Sequence, residues 1–303
     1  MNRKSATFNK GYWVFLVPGV LIFLVLIILP ILANIGISFT TWAGTGTPVW
    51  VGWQNFAKAS KDSTFWASFR NNLGVILVMV VIPTFMGLVL ATTLTDYIAR
   101  KFGTGVSNFL RAGFYFPQII PILVSAIVWK WILQPDWGVV NTVLKSIGLA
   151  SLAHNWLGDS GTALASVMVM LIWIQIGYPL IIFMAAMQRI DPELYEAAQI
   201  DGASWWAKFF YLTIPLIRPE LFVVILTTTI YSLKLFAPIY AMTRGGPGTS
   251  TTMLPSYFAY KNFFETAQVG YGATIATVLT CIVVILTILW IRVQTGQEYR
   301  ETI

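Results

Sequence analysis

The chain has 303 residues, of which 57% are hydrophobic and only 10% charged, with a formal net charge of +7. Soluble domains carry roughly 25% charged residues, so this composition excludes a soluble globular protein and puts the chain in a membrane. A single cysteine, Cys281, excludes an internal disulfide or a cysteine metal cluster, and the single histidine, His154, lacks the neighbours a metal site needs.

Uncharged stretches run from Gly11 to Ala57, Asn71 to Thr95, Ala112 to Trp129, Ser160 to Gln188 and Thr266 to Ile291. Each reaches the roughly 18 residues that make a membrane helix the default. A sixth, Leu221 to Thr243, is long enough but carries Lys234. Six spans are therefore predicted near 13–39, 72–95, 112–133, 162–187, 221–242 and 271–293, giving an all-α membrane fold. Val75 to Pro83 and Cys281 to Trp290 lack the alternation of a β-barrel strand. The first run is too long for a signal-peptide core and has no small-residue cleavage site close behind it, so an uncleaved helix is expected. Tandem repeats and low-complexity segments are absent, which predicts a single transmembrane domain over residues 1–303.

Between spans one and two, Trp42, Trp50, Trp53, Phe56, Phe65 and Trp66 fit a membrane–water interface. Prolines at 18, 30, 83, 117, 121, 179 and 238 suggest kinked helices packed around a cavity. The loop from Gln134 to Asp159 has turn residues at both ends and a short helix expected near Val140 to Ile147. The loop beginning Arg244-Gly245-Gly246-Pro247-Gly248 forces a tight turn after span five. On the side of the termini lie eleven basic residues (Arg3, Lys4, Lys10, Arg100, Lys101, Arg111, Arg189, Lys208, Arg218, Arg292 and Arg300), and six lie on the opposite side. Positive residues stay inside, so both termini and the loop between spans four and five are expected in the cytoplasm. The same bias, with anionic lipid, accounts for the net charge without nucleic acid.

That loop, residues 191–219, is polar and helix-forming. Asp191 can cap a helix with Pro192 at its first position and Glu193 next. Gly202 should stop it, Ser204 should cap a second helix through Trp205 to Leu212, and Pro215 and Pro219 should end that one and lead into the fifth span. Ala197, Ala198 and Ala203 are small enough for another protein to approach closely, while Glu196 and Asp201 offer charges for partner arginines or for local capping. On residue chemistry alone, a docking surface and an interfacial amphipathic helix anchored by Trp205, Trp206, Phe209 and Phe210 both fit.

The run Glu196-Ala197-Ala198, Asp201-Gly202-Ala203, Phe209, Ile214-Pro215 and Pro219 resembles the EAA loop of ABC-importer permeases, the segment that docks on an ATPase subunit. The likeness extends from about residue 12 to the C terminus and is strongest to the carbohydrate-uptake, MalF and UgpA type. Trp53-Gln54-Asn55-Phe56, Gly177-Tyr178-Pro179 and the run from Lys234 to Gly248 also carry it. The resemblance implies a type I importer (MetI-like) fold, with a peripheral first helix, a core over 72–293 and coupling helices in 191–219. It also implies a second homologous permease subunit, two ATP-binding-cassette ATPases and an extracytoplasmic solute-binding protein. It implies a bacterial or archaeal plasma membrane, no catalytic residues here, and no cofactor in this chain, Mg-ATP being bound by the partner. In the family the glutamate makes the polar contacts and the glycine the turn, roles carried onto Glu196 and Gly202. No large extracytoplasmic domain is inserted, unlike the maltose permease.

Carboxylates are nearly absent from the spans, Asp96 and Glu220 sitting at their ends, which argues against ion-coupled transport. The phosphate-cradling Gly-x-x-x-x-Gly-Lys-Ser/Thr is absent as well. Trp173, Gln175, Tyr178, Tyr231, Ser232 and Lys234 in spans four and five suit a polyol, through hydrogen bonds and aromatic faces. By resemblance Gly177, Tyr178, Tyr231 and Ser232 line a sugar path, whereas Lys234 and Leu235 replace asparagines of the maltose permease. Lys234 is expected to face that path or a carbonyl at the Pro238 turn, and Lys130 to snorkel. The expected function is uptake of a sugar or oligosaccharide. The alternatives are glycerol phosphate or another small polar metabolite and, in a different class, an ion-coupled carrier or channel.

Overall fold

The computed structural model describes residues 11–248 and 250–301, with side chains described from Phe15 to Arg292. Arg3, Lys4 and Lys10, counted above for orientation, lie outside the described residues, as does the side chain of Arg300. Contacts group the chain into two units, one of residues up to Lys61 with Ala259–Val278, the other of Asp62–Phe258 with residues 279 onward.

The first unit holds helix α1 (residues 11–38), a two-residue antiparallel pairing of β1 (Thr40–Thr41) with β2 (Val49–Trp50), and α2 (Gln54–Lys61). That pairing is the one departure from an all-α fold among the described residues. The most apolar stretch of α1 is 0% buried, as suits a helix facing lipid. Its C-terminal end is tied by Asn34, whose Nδ2 donates to the Ala273 carbonyl (3.2 Å) and to Thr277 Oγ1 (3.0 Å). Asn55 donates to the carbonyls of Ser38 and Thr40, both at 2.9 Å, fixing the bend between α1 and the hairpin.

The second unit is organised on α3 (Ser63–Phe102), a 40-residue helix begun by the Asp62 carboxylate, which accepts from Thr64 N at 2.8 Å. Next come α4 (Thr104–Ile119), α5 (Ile122–Ile132), α6 (Val139–Ser146) and α7 (Ala163–Met187). They are followed by α8 (Pro192–Ile200), α9 (Trp205–Leu216), α10 (Arg218–Leu233) and α11 (Ala237–Met242). Helix α3 packs along both α7 and α10, α4 packs on α7, and α11 on α5. Residues 255–265 form α12, and α13 runs Val269–Glu301.

Among the described residues four helices are long and apolar enough to cross a membrane, or up to six if each bent pair is one span. The predicted third span, 112–133, is not one rod. Helices α4 and α5 meet at 96°, because Ile120, preceding Pro121, is extended (φ −72°, ψ 130°). The predicted fifth span, 221–242, is likewise interrupted, with Lys234 ending α10 and Pro238 in the first turn of α11. The short helix expected near 140–147 is α6, at Val139–Ser146.

At the far end of α3 from the 191–219 loop, Asn71 Nδ2 reaches the carbonyls of Ser250, Thr251 and Met253 at 2.8, 3.1 and 3.1 Å, and Asn72 Nδ2 reaches that of Ser232 at 3.0 Å. Replacing Asn71 with leucine is expected to cost about 1–3 kcal/mol, since buried carbonyls lose their donor. Limited proteolysis should then cut near 250–253 faster than in the unaltered chain.

Candidate functional site

The 191–219 loop is built by caps. Asp191 Oδ1 accepts from Glu193 N at 3.0 Å, with Pro192 in the first turn of α8. At its other end Gly202 has φ +77°. Gly202 N donates to the Gln199 carbonyl (3.1 Å) and Ala203 N to that of Ala198 (2.9 Å), the two bonds of a Schellman ending that a β-carbon would strain. Ser204 Oγ then accepts from Ala207 N at 3.2 Å and starts α9. The helix runs past the expected Leu212 and ends between Pro215 and Pro219. A π-turn over Phe209–Thr213 shifts the hydrogen bonds, so that Ile214 N donates to the Phe209 carbonyl, and the helix reaches Leu216 before turning by 75° into α10.

One face of this helix pair is buried and the other is open. Phe209 (2% exposed) and Ile217 (1%), with Trp205 and Ile214, belong to the core formed by Leu88, Leu94, Phe183 and Met187. The Tyr195 hydroxyl bonds Thr213 Oγ1 at 3.0 Å, tying α8 to α9. Burial pushes the Tyr195 phenol above its ordinary value; the Thr213 bond opposes this and the Asp96 carboxylate adds to it. Tyr195 therefore stays protonated near neutral pH. Glu196, Ala197, Asp201 and Gly202 are exposed, whereas Ala198 and Ala203 are half-buried. Arg189 and Glu220 pair across the base of the loop. Beside them lies a groove of about 390 Å³ lined by Leu194, Leu216 and Pro219 among others.

A second concavity, of about 250 Å³, lies among the helices and is lined by Gln118, Gln175, Tyr178, Thr227 and Tyr231. The Tyr178 hydroxyl bonds Thr227 Oγ1 at 2.9 Å, and Gln175 Nε2 approaches Thr228 Oγ1 at 3.4 Å. Gln118 Oε1 is buried with no hydrogen-bond partner among the described residues, so this wall holds an acceptor waiting for a donor.

A family model described as "Binding-protein-dependent transport system inner membrane component" matches residues 84–298, spanning both the loop and the cavity. The chain belongs to that family. A probable ABC transporter permease of Bacillus subtilis (strain 168) is 34% identical over 288 residues, 94% of this chain and 97% of its own. The lactose transport system permease protein LacF of Rhizobium radiobacter is 32% identical, covering 93% of each chain. A chain in the solved structure of a bacterial alginate ABC transporter, in complex with alginate pentasaccharide-bound periplasmic protein, superposes with a TM-score of 0.79 at 22% identity, covering 92% of each chain.

In this inner-membrane component the predicted path residues divide. Gln175, Tyr178 and Tyr231 share the cavity wall. Gly177 is buried, and a β-carbon on it would stand 2.8 Å from Tyr115 Cα, so its smallness serves helix packing. Ser232 is 0% exposed, with its Oγ donating to the Thr228 carbonyl at 2.8 Å, so it lies behind the wall. Lys234 is exposed at the end of α10, outside that lining. Gln118 and Thr227 were missed. The signal for Gln118 was a lone amide in the uncharged stretch from Ala112 to Trp129.

Proposed function

We propose that this chain is one half of a heteromeric, ATP-driven importer of a sugar or oligosaccharide. It pairs with a second, similar permease, sits on two ATPase subunits that bind Mg-ATP, and receives solute from an extracytoplasmic binding protein. The observation that carries this reading is the 191–219 loop. Two capped helices are anchored in the core by Phe209 and Ile217, while Glu196, Ala197 and Asp201 face outward without an ion pair to a described residue. A free interfacial helix buries its aromatic face in lipid, whereas Phe209 and Trp205 are held by protein and Trp206 and Phe210 stand on the exposed side. The bias of basic residues supports a cytoplasmic loop and cytoplasmic termini. Closure of the ATPases moves α8 and α9 and rocks the bundle from inward-open to outward-open, and hydrolysis resets it.

The sugar is supported by the lactose transport role named for one relative and the alginate named for the structural neighbour. It is supported too by a wall of two tyrosines, two glutamines and a threonine, which suits hydroxyls and C–H faces. An anionic solute is a second reading, resting on Lys234, which stands outside the cavity lining but is exposed at the end of α10 with no ion pair to a described residue. Replacing Tyr231 with alanine removes an aromatic face worth about 1.4 kcal/mol, or roughly tenfold in affinity. The test is ATPase activity of the reconstituted importer, with its binding protein, against a panel of neutral and acidic saccharides. Half-stimulation should move to about tenfold higher concentration for the transported sugar. An unchanged value would remove Tyr231 from the path, and no response to any saccharide would sink the sugar reading.

A further inference from the structure

Three helices bring side chains to the cavity of about 250 Å³. Gln175 and Tyr178 lie three residues apart on α7, and Thr227 and Tyr231 four apart on α10, so each pair shares one face of its helix. Gln118 comes from the last turn of α4. A β-carbon on Gly177 would stand 2.8 Å from Tyr115 Cα, so α4 crosses α7 there, and Gln118 follows Tyr115 by three residues on the same face.

Hydrogen bonding decides what this wall can still offer. A hydroxyl has one proton to give. Thr227 gives its own to the Val223 carbonyl at 2.7 Å, shared with that of Val224 at 3.1 Å. In the 2.9 Å bond between Tyr178 and Thr227 the phenol is therefore the donor. Tyr178 Oη has no proton left for a solute and keeps its lone pairs. Gln118 Oε1 is buried with no hydrogen-bond partner among the described residues, a cost that a donor from a bound solute relieves. The last torsion of glutamine is soft, so the carboxamide can turn this oxygen into the cavity with its N–H beside it. None of the five lining residues is charged. A carboxylate or phosphate placed here would meet two lone-pair oxygens and no cation, and would lose its water without replacement. A hydroxyl would meet two acceptors.

We propose that Gln118 is a specificity-determining residue and that, with Tyr178, it selects an uncharged polyhydroxylated solute. Gln118 accepts from one hydroxyl and donates to its neighbour, Tyr178 accepts from another, and Tyr231 supplies a ring face and a hydroxyl that can give as well as take. The proposal rests on the sugar-import reading above and narrows it to neutral saccharides, since the cation that would hold an anion, Lys234, lies outside this lining.

The experiment uses the assembled importer in nanodiscs without its binding protein, so that the binding protein's own preference does not enter. Saturation-transfer NMR reads the binding of maltose, lactose, trehalose and digalacturonate to the unaltered chain and to Gln118→Leu, Gln118→Glu and Tyr178→Phe. At least one neutral disaccharide is expected to bind, with digalacturonate about tenfold weaker or more. Gln118→Leu, close in volume, should weaken the neutral sugar about tenfold and Tyr178→Phe about threefold, whereas Gln118→Glu, which keeps the acceptor, should stay within about threefold. A mere packing role would reverse the order of the two Gln118 variants, because leucine fills the space and glutamate buries a charge. Digalacturonate binding as tightly as the neutral sugars, or Gln118→Leu binding like the unaltered chain, would overturn the proposal. If Gln118→Leu fails to fold, Tyr178→Phe, which loses one oxygen, decides in its place, and unchanged binding overturns the selection. Binding of none of the sugars overturns it as well. Saccharide-stimulated ATPase of the same importer with its binding protein restored would then show that the sugar-import reading survives, and its absence that this reading had failed.

Discussion

Exchanging Glu196 for lysine is expected to abolish ATP-driven uptake while the chain still inserts and packs. Glu196 is exposed on α8, and the segment 191–201 carries Asp191, Glu193, Glu196 and Asp201 with no basic residue. In the proposed complex this acidic helix is the counterpart of a basic ATPase surface. Lysine is as good a helix former as glutamate, and no described side chain depends on Glu196, so stability should shift by no more than about 0.5 kcal/mol. Reversing a charge against a cationic cleft costs about 2–5 kcal/mol of association, roughly 30-fold or more. Uptake into vesicles should fall below about a tenth, with the melting temperature of the isolated chain unchanged. Glu196→Gln, which keeps shape and hydrogen bonding, should retain more activity than the lysine variant. Equal activity of all three proteins would remove Glu196 from the interface.

The second large effect concerns the fold. A β-carbon at Gly87 would stand 2.9 Å from the backbone nitrogen of Leu180 and from Pro179 Cβ and Cγ, so α3 and α7 cross there with no room for a side chain. Small residues let membrane helices approach in this way, and the obstruction is partly backbone that cannot rotate aside. Gly87→Leu is expected to cost well beyond the about 1–3 kcal/mol of ordinary overpacking, and the chain should fail to accumulate in folded form. Gly74, on the same helix, is the control: its β-carbon would meet Met168 Cε at an ordinary 3.6 Å. Gly74→Ala should therefore be neutral or slightly stabilising, since alanine favours the helix over glycine by about 1 kcal/mol. Fluorescence-detected size-exclusion of the two variants separates these outcomes.

The loop was legible because caps are local. Asp191 before Pro192, Gly202 in the left-handed turn and Ser204 each act through backbone groups a few residues away, and all three do what their positions predict. The prolines were less legible, because their effect depends on what else satisfies the freed carbonyl. Pro83 sits inside the unbroken α3, Pro121 follows a right-angle break, and Pro215 is carried through by a π-turn. Residue type alone also could not tell which face of α7 and α10 looks into the cavity. Tyr231 lines it, while its neighbour Ser232 points back toward Thr228. Gln118 joins the same wall from α4, a tertiary meeting that no sequence spacing encodes.

ATP coupling through a partner chain is tested most directly by gentle solubilisation from the native membrane. The chain is recovered beside a Glu196→Lys, Gly202→Pro double variant, and the proteins that accompany each are identified. A second permease and an ATPase are expected with the unaltered chain, with the ATPase lost from the variant. Recovery of the chain alone, or only with copies of itself, in both forms would contradict ATP coupling and return the reading to an ion-driven carrier or channel.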